Sequence, residues 1–195
     1  MASADDALCP SVDERSLTTI HEVFLVLGGS LFVALSSRIV LVLPFTPVPV
    51  TGQTLAVLAI GATLGARRGA LSLLAYLLEG AIGLPVFAGG AAGIARLVGP
   101  TGGYLWGFVA AAYVVGSLVE RGWGRRLPTA LASLSIGNAS LYLFGLSWLA
   151  RFVGVDKALP LGLYPFVAGD LVKMVLVASA MVVGRKVLSL AHGKE

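Results

Sequence analysis

Residues 165–187 read PFVAGDLVKMVLVASAMVVGRKV, and this stretch decides the class of fold. It is an almost unbroken apolar segment of the length, about 20 residues, that a helix needs to cross a bilayer. It has no period-two alternation, which favours a helix over a membrane-spanning strand. Asp170 and Lys173 interrupt it near its beginning. Because charges inside a membrane helix are costly unless paired or wetted, the segment predicts a membrane helix that carries a functional position.

The rest of the chain has the same character. Its 195 residues are 57% hydrophobic and 12% charged, with a mean hydropathy of +0.91, whereas soluble domains carry about 25% charged residues. Backbone groups in hydrocarbon must be bonded internally, which favours helices. We therefore expect an all-α integral membrane protein, a compact bundle of six transmembrane helices. The predicted helices cover residues 20–43, 53–64, 69–82, 104–120, 128–153 and 165–187.

Basic residues in the short connections predict the orientation. They cluster at residues 67–68, 121–126 and 185–194, which lie on one side of a six-helix bundle. We therefore place this side, and both the N and C termini, in the cytoplasm. The expected organisation is a partly disordered cytoplasmic tail at 1–18, a single transmembrane domain at 19–190 and a cytoplasmic tail at 191–195.

Several functional classes are disfavoured by composition. The net charge of +4 is spread over short loops rather than along a continuous stripe, so we expect no nucleic-acid partner. The single cysteine, Cys9, forms no intramolecular disulfide, and His21 and His192 lie near the chain ends. A catalytic Ser-His or Cys-His pair and a metal site are therefore not expected. No P-loop string occurs, so energy from ATP must come through a partner.

Asp170 and Lys173 are three residues apart, which places both on one face of the last helix. One interpretation is a local ion pair that only neutralises itself. The other is a binding pair facing a pocket, in which the carboxylate accepts from ligand N–H groups and the ammonium donates to a ligand oxygen.

Other polar residues at membrane depth are weaker candidates. Arg96 lies in a Gly-rich outer loop, where it either grips a ligand carboxylate or anchors the chain at the headgroups. Gln53 opens the second helix beside the expected pocket and is a candidate ligand contact, whereas Asn138 is assigned to helix packing. Glu79 is either a proton-coupling group or a snorkelling carboxylate. Tyr104 falls near a predicted interface, where aromatic rings form belts, and also near the pocket.

Five strings, in order and spacing, resemble the BioY family, the biotin-specific S components of energy-coupling-factor (ECF) importers. They are VPVTGQTLAVLAIGATLG (48–65), RRGALSLLAYLLEGAIGLPVFAGGAAG (67–93), RLVGPTGGYLWGF (96–108), GLSWLA (145–150) and PFVAGDLVKM (165–174). The resemblance implies a biotin pocket near the outer face, closed by the loop between the first two helices, and no catalytic activity. It implies membrane lipid, a transmembrane coupling protein and two ATPase subunits as partners, no cofactor, and a multi-pass location in a prokaryotic-type plasma membrane.

The resemblance also implies roles for individual residues. Asp170 and Lys173 match the pair that holds the polar end of biotin, and Arg96 matches the arginine of the outer glycine-rich loop. Some members have an asparagine as a ligand contact where this chain has Gly89 and Gly90, so a backbone group, a water or Gln53 must substitute. The resemblance further implies that Ser30 and Ala34, a small-xxx-small pair, lie at the coupling-subunit interface.

Three alternatives stay open from the sequence. The first is an S component for another vitamin, or a solitary carrier that works without ATPases. The second is a membrane enzyme that uses Asp170 or Glu79 as a general base. The third is a structural helical bundle without a ligand.

Overall fold

The structure, a computed structural model, describes residues 12–192, and it describes side-chain surroundings for residues 19–187. Residues 1–11 and 193–195 lie outside the described residues, so the predictions for the ends of both tails stay predictions. The first helix already begins at Val12, earlier than expected.

The described chain is helical apart from short connections. Two short strands, β1 (Val40–Leu41) and β2 (Val50–Thr51), pair antiparallel with Val40 opposite Thr51 and form a small ribbon after the first helix. The helices are α1 (Val12–Ser36), α2 (Gln53–Ala81), α3 (Ile94–Val98), α4 (Gly102–Leu118), α5 (Leu127–Val153), α6 (Val155–Gly162) and α7 (Tyr164–His192). A 3₁₀ turn covers Ala88–Gly90, and a π-helical turn, Val119–Trp123, extends α4. Within the described part, α1, α2, α4, α5 and α7 are long and apolar enough to cross a membrane.

The chain reverses direction inside α2. Gly65 has φ 80° and ψ −177°, a backbone conformation that L side chains rarely adopt. Gln53 Nε2 lies 2.5 Å from the hydroxyl of Tyr76, although a straight helix would separate these residues by about 35 Å. Residues 53–64 and 66–81 therefore pack as two antiparallel halves, which agrees with the two helices predicted there.

Glu120 fixes this reversal from the neighbouring helix. Its Oε1 accepts a hydrogen bond of 2.8 Å from the backbone N–H of Ala66, the first residue after the break. That N–H would otherwise lack a partner, because the first turn of a helix has no intrahelical acceptor. The π-helical turn therefore places a carboxylate where the second half of α2 begins.

Small residues allow the helices to approach closely. A methyl group at Gly61 would lie 2.6 Å from the carbonyl oxygen of Ala112, so α2 and α4 meet backbone to backbone. Large apolar side chains instead point outward: Phe24 is 70% exposed and Leu143 is 68% exposed. This arrangement, with small residues inside and large apolar ones outside, is typical of a bundle surrounded by lipid.

The predicted bounds differ most in the connections that follow residues 36, 82 and 153. The first helix ends at Ser36 instead of residue 43, because the chain turns into the β-ribbon and a proline-rich loop. The segments predicted as loops at 83–103 and 154–164 contain the short helices α3 and α6. Hydropathy averaged over a span detects neither element because both are far shorter than a membrane crossing.

Candidate ligand-binding site

A cavity lies among α2, α4, α5 and α7, beneath the β-ribbon and the loop that leads into α3. Its walls include the apolar side chains of Val48, Phe87, Leu105, Phe108 and Phe166. Its polar lining residues include Gln53, Thr54, Arg96, Asp170 and Lys173. An apolar enclosure with a few convergent polar groups is the usual form of a small-molecule site.

Asp170 is the acidic centre of the cavity and is only 2% exposed. Its Oδ2 accepts hydrogen bonds from the Tyr142 hydroxyl at 2.5 Å and from Asn138 Nδ2 at 3.3 Å. Its Oδ1 accepts from Lys173 Nζ at 3.1 Å and from the Thr54 hydroxyl at 3.2 Å. Four donors compensate the dehydration of this carboxylate, which a buried charge requires.

Lys173 lies one turn further along α7, with 16% of its side chain exposed. Besides the Asp170 carboxylate, its ammonium donates to the Thr51 carbonyl oxygen at 2.9 Å and to Thr54 Oγ1 at 2.7 Å. The three N–H donors of the ammonium are therefore all used. The pair thus ties α7 to the start of α2 at one end of the cavity.

Arg96 supplies a positive charge at another part of the cavity lining. It is exposed, and it has no acidic partner among residues 19–187. A guanidinium that lines a cavity without an anion is available to a carboxylate. As far as the described side chains show, the cavity therefore combines a buried, internally bonded acid-base pair with a cation that has no acidic partner.

Gln53 and Tyr104 both line the cavity, as predicted. Gln53 Nε2 donates to the Tyr76 hydroxyl, which in turn donates to the carbonyl oxygen of Val86 at 3.0 Å. The Tyr104 hydroxyl donates to the carbonyl oxygen of Gly162 at 2.8 Å, so its ring serves as wall rather than as an interfacial belt. Through these bonds, the two residues connect the cavity to the segment that follows α2 and to the last residue of α6.

Gly89 and Gly90 are placed differently from the prediction. They are absent from the lining, which their neighbours Phe87, Ala88 and Ala91 form instead. The two glycines have φ values of 68° and 80°, which turn the loop so that these neighbours face the cavity. The two glycines therefore shape the wall, and a direct contact between them and a ligand stays a prediction.

The connection between α1 and α2 covers the cavity. Val48 and Pro49 from this segment belong to the lining. Thr46 holds it in place, because its hydroxyl donates to the carbonyl oxygen of Leu161 in α6 at 2.6 Å and accepts from the Val48 N–H at 3.1 Å. One side chain thus joins two connections that are distant in sequence.

Comparison with known proteins now places the chain. The BioY family pattern matches residues 11–190. The chain belongs to the BioY family. One relative in this family, the "Probable biotin transporter BioY" of Pyrococcus horikoshii, is 42% identical over 158 residues, covering 80% of this chain and 91% of the relative. The "Biotin transporter BioY" of Rhizobium etli is 39% identical over 181 residues, covering 88% and 95%.

The BioY fold is also found among solved structures. The "Crystal structure at 2.1 A of the S-component for biotin from an ECF-type ABC transporter" superposes with a TM-score of 0.76, covering 91% of this chain and 95% of that chain at 23% identity. The resemblance drawn from the sequence motifs is thereby confirmed. Apolar helices and transporter relatives together make this BioY chain a multi-pass plasma-membrane protein.

Three functional contacts of this BioY chain were not predicted from the sequence. Tyr142 and Thr54 bind Asp170, and Asn138, assigned to packing, also donates to it. Asn138 and Tyr142 are four residues apart, so they lie on one face of α5, and this spacing was the available signal. Thr54 gave no signal of its own because a hydroxyl in a membrane helix usually bonds its own backbone.

The predicted coupling surface of the BioY chain is not on the outside of the protein. Ser30 is fully buried and donates to Glu79 Oε2 at 2.5 Å, and Ala34 is also buried. Their small size lets α1 pack against the second half of α2. Both residues are therefore used for packing within the chain, their role at a coupling-subunit interface stays a prediction, and Glu79 is a hydrogen-bonded carboxylate between two helices.

Proposed function

We propose that this chain is the biotin-capturing S component of an ECF-type importer. The observation that carries the proposal is the charge layout of the cavity: a buried Asp170–Lys173 pair lies at one end, and elsewhere in the lining lies Arg96, which has no acidic partner among residues 19–187. Biotin has a ureido group with two N–H donors and one oxygen, an apolar bicycle and chain, and a carboxylate. These groups complement the polar pair, the apolar walls and the guanidinium respectively.

Binding requires an exchange of hydrogen bonds at the polar end. Asp170 accepts from a ureido N–H group, and Lys173 donates to the ureido oxygen in place of one of its present acceptors. Arg96 pairs with the carboxylate through charge-assisted hydrogen bonds, which are about twice as strong as neutral ones. Gln53 and Tyr104 complete the wall. A buried polar group left unpaired costs about 1 to 3 kcal/mol, so a ligand lacking these groups is rejected.

We further propose six membrane-spanning helices with both termini in the cytoplasm, the two halves of α2 counting as separate helices. The arginines and lysines at 67–68, 121–126 and 185–194 then share the inner side, as the positive-inside rule requires. The cavity then faces outward, and biotin enters from outside. The sequence contains no P-loop, so inward release uses a transmembrane coupling protein and two ATPases, while the subunit tilts in the bilayer.

Calorimetric titration of purified, detergent-solubilised protein tests the ligand. Biotin is expected to bind far more tightly than lipoate, thiamine or riboflavin, and to be recovered chemically unchanged. Asp170→Asn or Lys173→Ala is expected to weaken binding at least tenfold, which corresponds to about 1.4 kcal/mol. Lys157→Ala is the matched control, because this exposed lysine in α6 does not line the cavity. Unchanged affinity in both site variants contradicts the proposal.

Uptake by cells separates the remaining alternatives. Labelled biotin should accumulate in cells that express the chain with a coupling subunit and ATPases, and much less without them. Equal uptake in both strains identifies a solitary carrier. Preferred binding of another vitamin identifies a different S component, and a chemically altered ligand identifies an enzyme.

A further inference from the structure

Gln53 is a buried cavity residue whose amide group is held in one orientation. Its Nε2 lies 2.5 Å from the hydroxyl oxygen of Tyr76, which is fully buried. The Tyr76 hydroxyl in turn lies 3.0 Å from the carbonyl oxygen of Val86, a group that only accepts hydrogen bonds. The phenol proton therefore points at Val86, and the phenol oxygen accepts from Gln53. The amide nitrogen of Gln53 consequently faces Tyr76.

Packing holds the Tyr76 ring and its acceptor in place. The ring packs edge to face against Phe87, with centroids 5.5 Å apart. Phe87 itself lies directly on Gly80, where a methyl group would overlap its ring. The Val86 carbonyl oxygen also accepts from the Ser37 hydroxyl at 2.7 Å, which ties it to the end of α1. The orientation of the Gln53 amide is therefore set by the fold.

The amide oxygen of Gln53 is available to a ligand. Gln53 Oε1 makes no hydrogen bond to any residue in the range 19–187. In this part of the chain, Asn138 Oδ1 is the one fully enclosed side-chain oxygen or nitrogen without a partner. Gln53 Oε1 therefore keeps contact with the cavity that Gln53 lines. The cavity thus presents a fixed acceptor that requires a donor from the ligand, because a buried acceptor without one is costly.

This acceptor and Asp170 approach the ligand from different directions. Thr54 donates to Asp170 Oδ1 at 3.2 Å, whereas Gln53, the preceding residue, points to Tyr76. Consecutive side chains of a helix diverge by about 100°. In a cyclic urea the oxygen lies between the two N–H bonds, which point to opposite sides of the ring. One N–H and the oxygen can therefore meet Asp170 and Lys173, 3.1 Å apart, and the other N–H needs an acceptor across the ring.

We propose that Tyr76 determines ligand specificity by turning the Gln53 amide oxygen towards the cavity, where it accepts the second N–H of the ligand. This inference rests on the proposed function and deepens it. Tyr76 is a positioning residue, because it is not part of the cavity lining. The site thereby selects a cyclic urea that keeps both N–H groups. It rejects an analogue with an oxygen in place of the second N–H, because two acceptors would then face each other.

Calorimetry with biotin and two cyclic carbamate analogues tests this role. Each analogue replaces one of the two N–H groups by a ring oxygen. In the wild type, the analogue whose ring oxygen faces Gln53 should bind about tenfold more weakly than biotin, or worse. In Tyr76→Phe the amide can turn and donate, so this discrimination should fall by about threefold or more. The discrimination against the other analogue, whose ring oxygen faces Asp170, should stay unchanged.

Tyr104→Phe is the matched control, because it removes another hydroxyl that donates to a backbone carbonyl oxygen and leaves the Gln53 amide in place. It should change the affinities for biotin and for both analogues by the same factor. Unchanged discrimination against both analogues in Tyr76→Phe overturns the inference and leaves Tyr76 as a residue that only stabilises the fold. Absence of biotin binding in the wild type would instead overturn the proposed function.

A second substitution, Gln53→Met, guards against a folding defect in the phenylalanine variant. Methionine has a similar length and lacks the amide group. Biotin should bind about tenfold more weakly, and the discrimination against the analogue identified with Tyr76→Phe should fall by about threefold or more. Equal losses for biotin and for both analogues contradict the acceptor role of Gln53.

Discussion

Replacing Lys173 by methionine should destabilise the protein more than replacing both members of its ion pair. Methionine keeps most of the length of the side chain and removes the charge. Asp170, 2% exposed, then loses the cation that pairs with it, and the Thr51 carbonyl oxygen and the Thr54 hydroxyl lose their donor. Breaking a buried pair in this way costs about 3 to 5 kcal/mol of unfolding free energy.

Asp170→Asn should cost less, about 1 to 3 kcal/mol, because Lys173 keeps its bonds to Thr51 and Thr54. In the double variant the pair no longer places a charge in the cavity. Its loss of unfolding free energy should therefore be smaller than that of Lys173→Met. The coupling between the two substitutions should therefore exceed about 1 kcal/mol. All three variants should bind biotin at least tenfold more weakly.

Unfolding in mixed micelles of detergent and dodecyl sulfate measures these free energies, and calorimetry measures binding. The matched control is the cycle Glu22→Gln and Arg68→Met, an ion pair with side chains 37% and 43% exposed. Its coupling should be smaller because solvent screens exposed charges. Strictly additive losses at Asp170 and Lys173 would refute the reasoning. Retained biotin binding in the double variant would mean that Asp170 and Lys173 form only a local ion pair in the wild type and do not bind the ligand.

Three further predictions concern other parts of the structure. Arg96→Gln should weaken biotin at least tenfold but leave biotin methyl ester nearly unchanged in calorimetry, because only the carboxylate meets the guanidinium; equal losses for both ligands contradict this. Glu120→Ala should lower the unfolding free energy by about 0.5 to 2 kcal/mol in mixed micelles, since the Ala66 N–H loses its acceptor, and should leave biotin affinity unchanged. Thr46→Val should speed dissociation of labelled biotin several-fold in stopped-flow measurements, since the covering segment loses its bond to Leu161; an unchanged rate argues against a covering role.

The helical class of the fold could be predicted because a bilayer imposes one strong constraint on every spanning segment. Apolar length alone predicted both ends of α5 and the beginning of α7 within one residue, whereas α7 ends at His192, five residues beyond the predicted end. The reversal at Gly65 was also predictable, since Arg67 and Arg68 interrupt the apolar run just after it. The end of α1 was not, because the residues after Ser36 stay apolar and only their prolines indicate a loop.

The candidate site was only partly predictable from the sequence. A charge in a membrane helix is conspicuous, which identified Asp170 and Lys173 correctly as cavity residues. Tyr142 is inconspicuous, because a tyrosine in an apolar helix is compatible with packing, with a belt and with a binding role. Ser30 and Ala34 show the converse limit: spacing predicts that a helix face is small but does not show which neighbour packs on it.

An experimental structure of the chain with bound biotin tests the central claim most directly. The ureido ring should lie within hydrogen-bond distance of Asp170, with the carboxylate of biotin against Arg96 and apolar walls between them. A reversed ligand, with its carboxylate at Lys173, would contradict the account, as would a biotin bound outside the cavity.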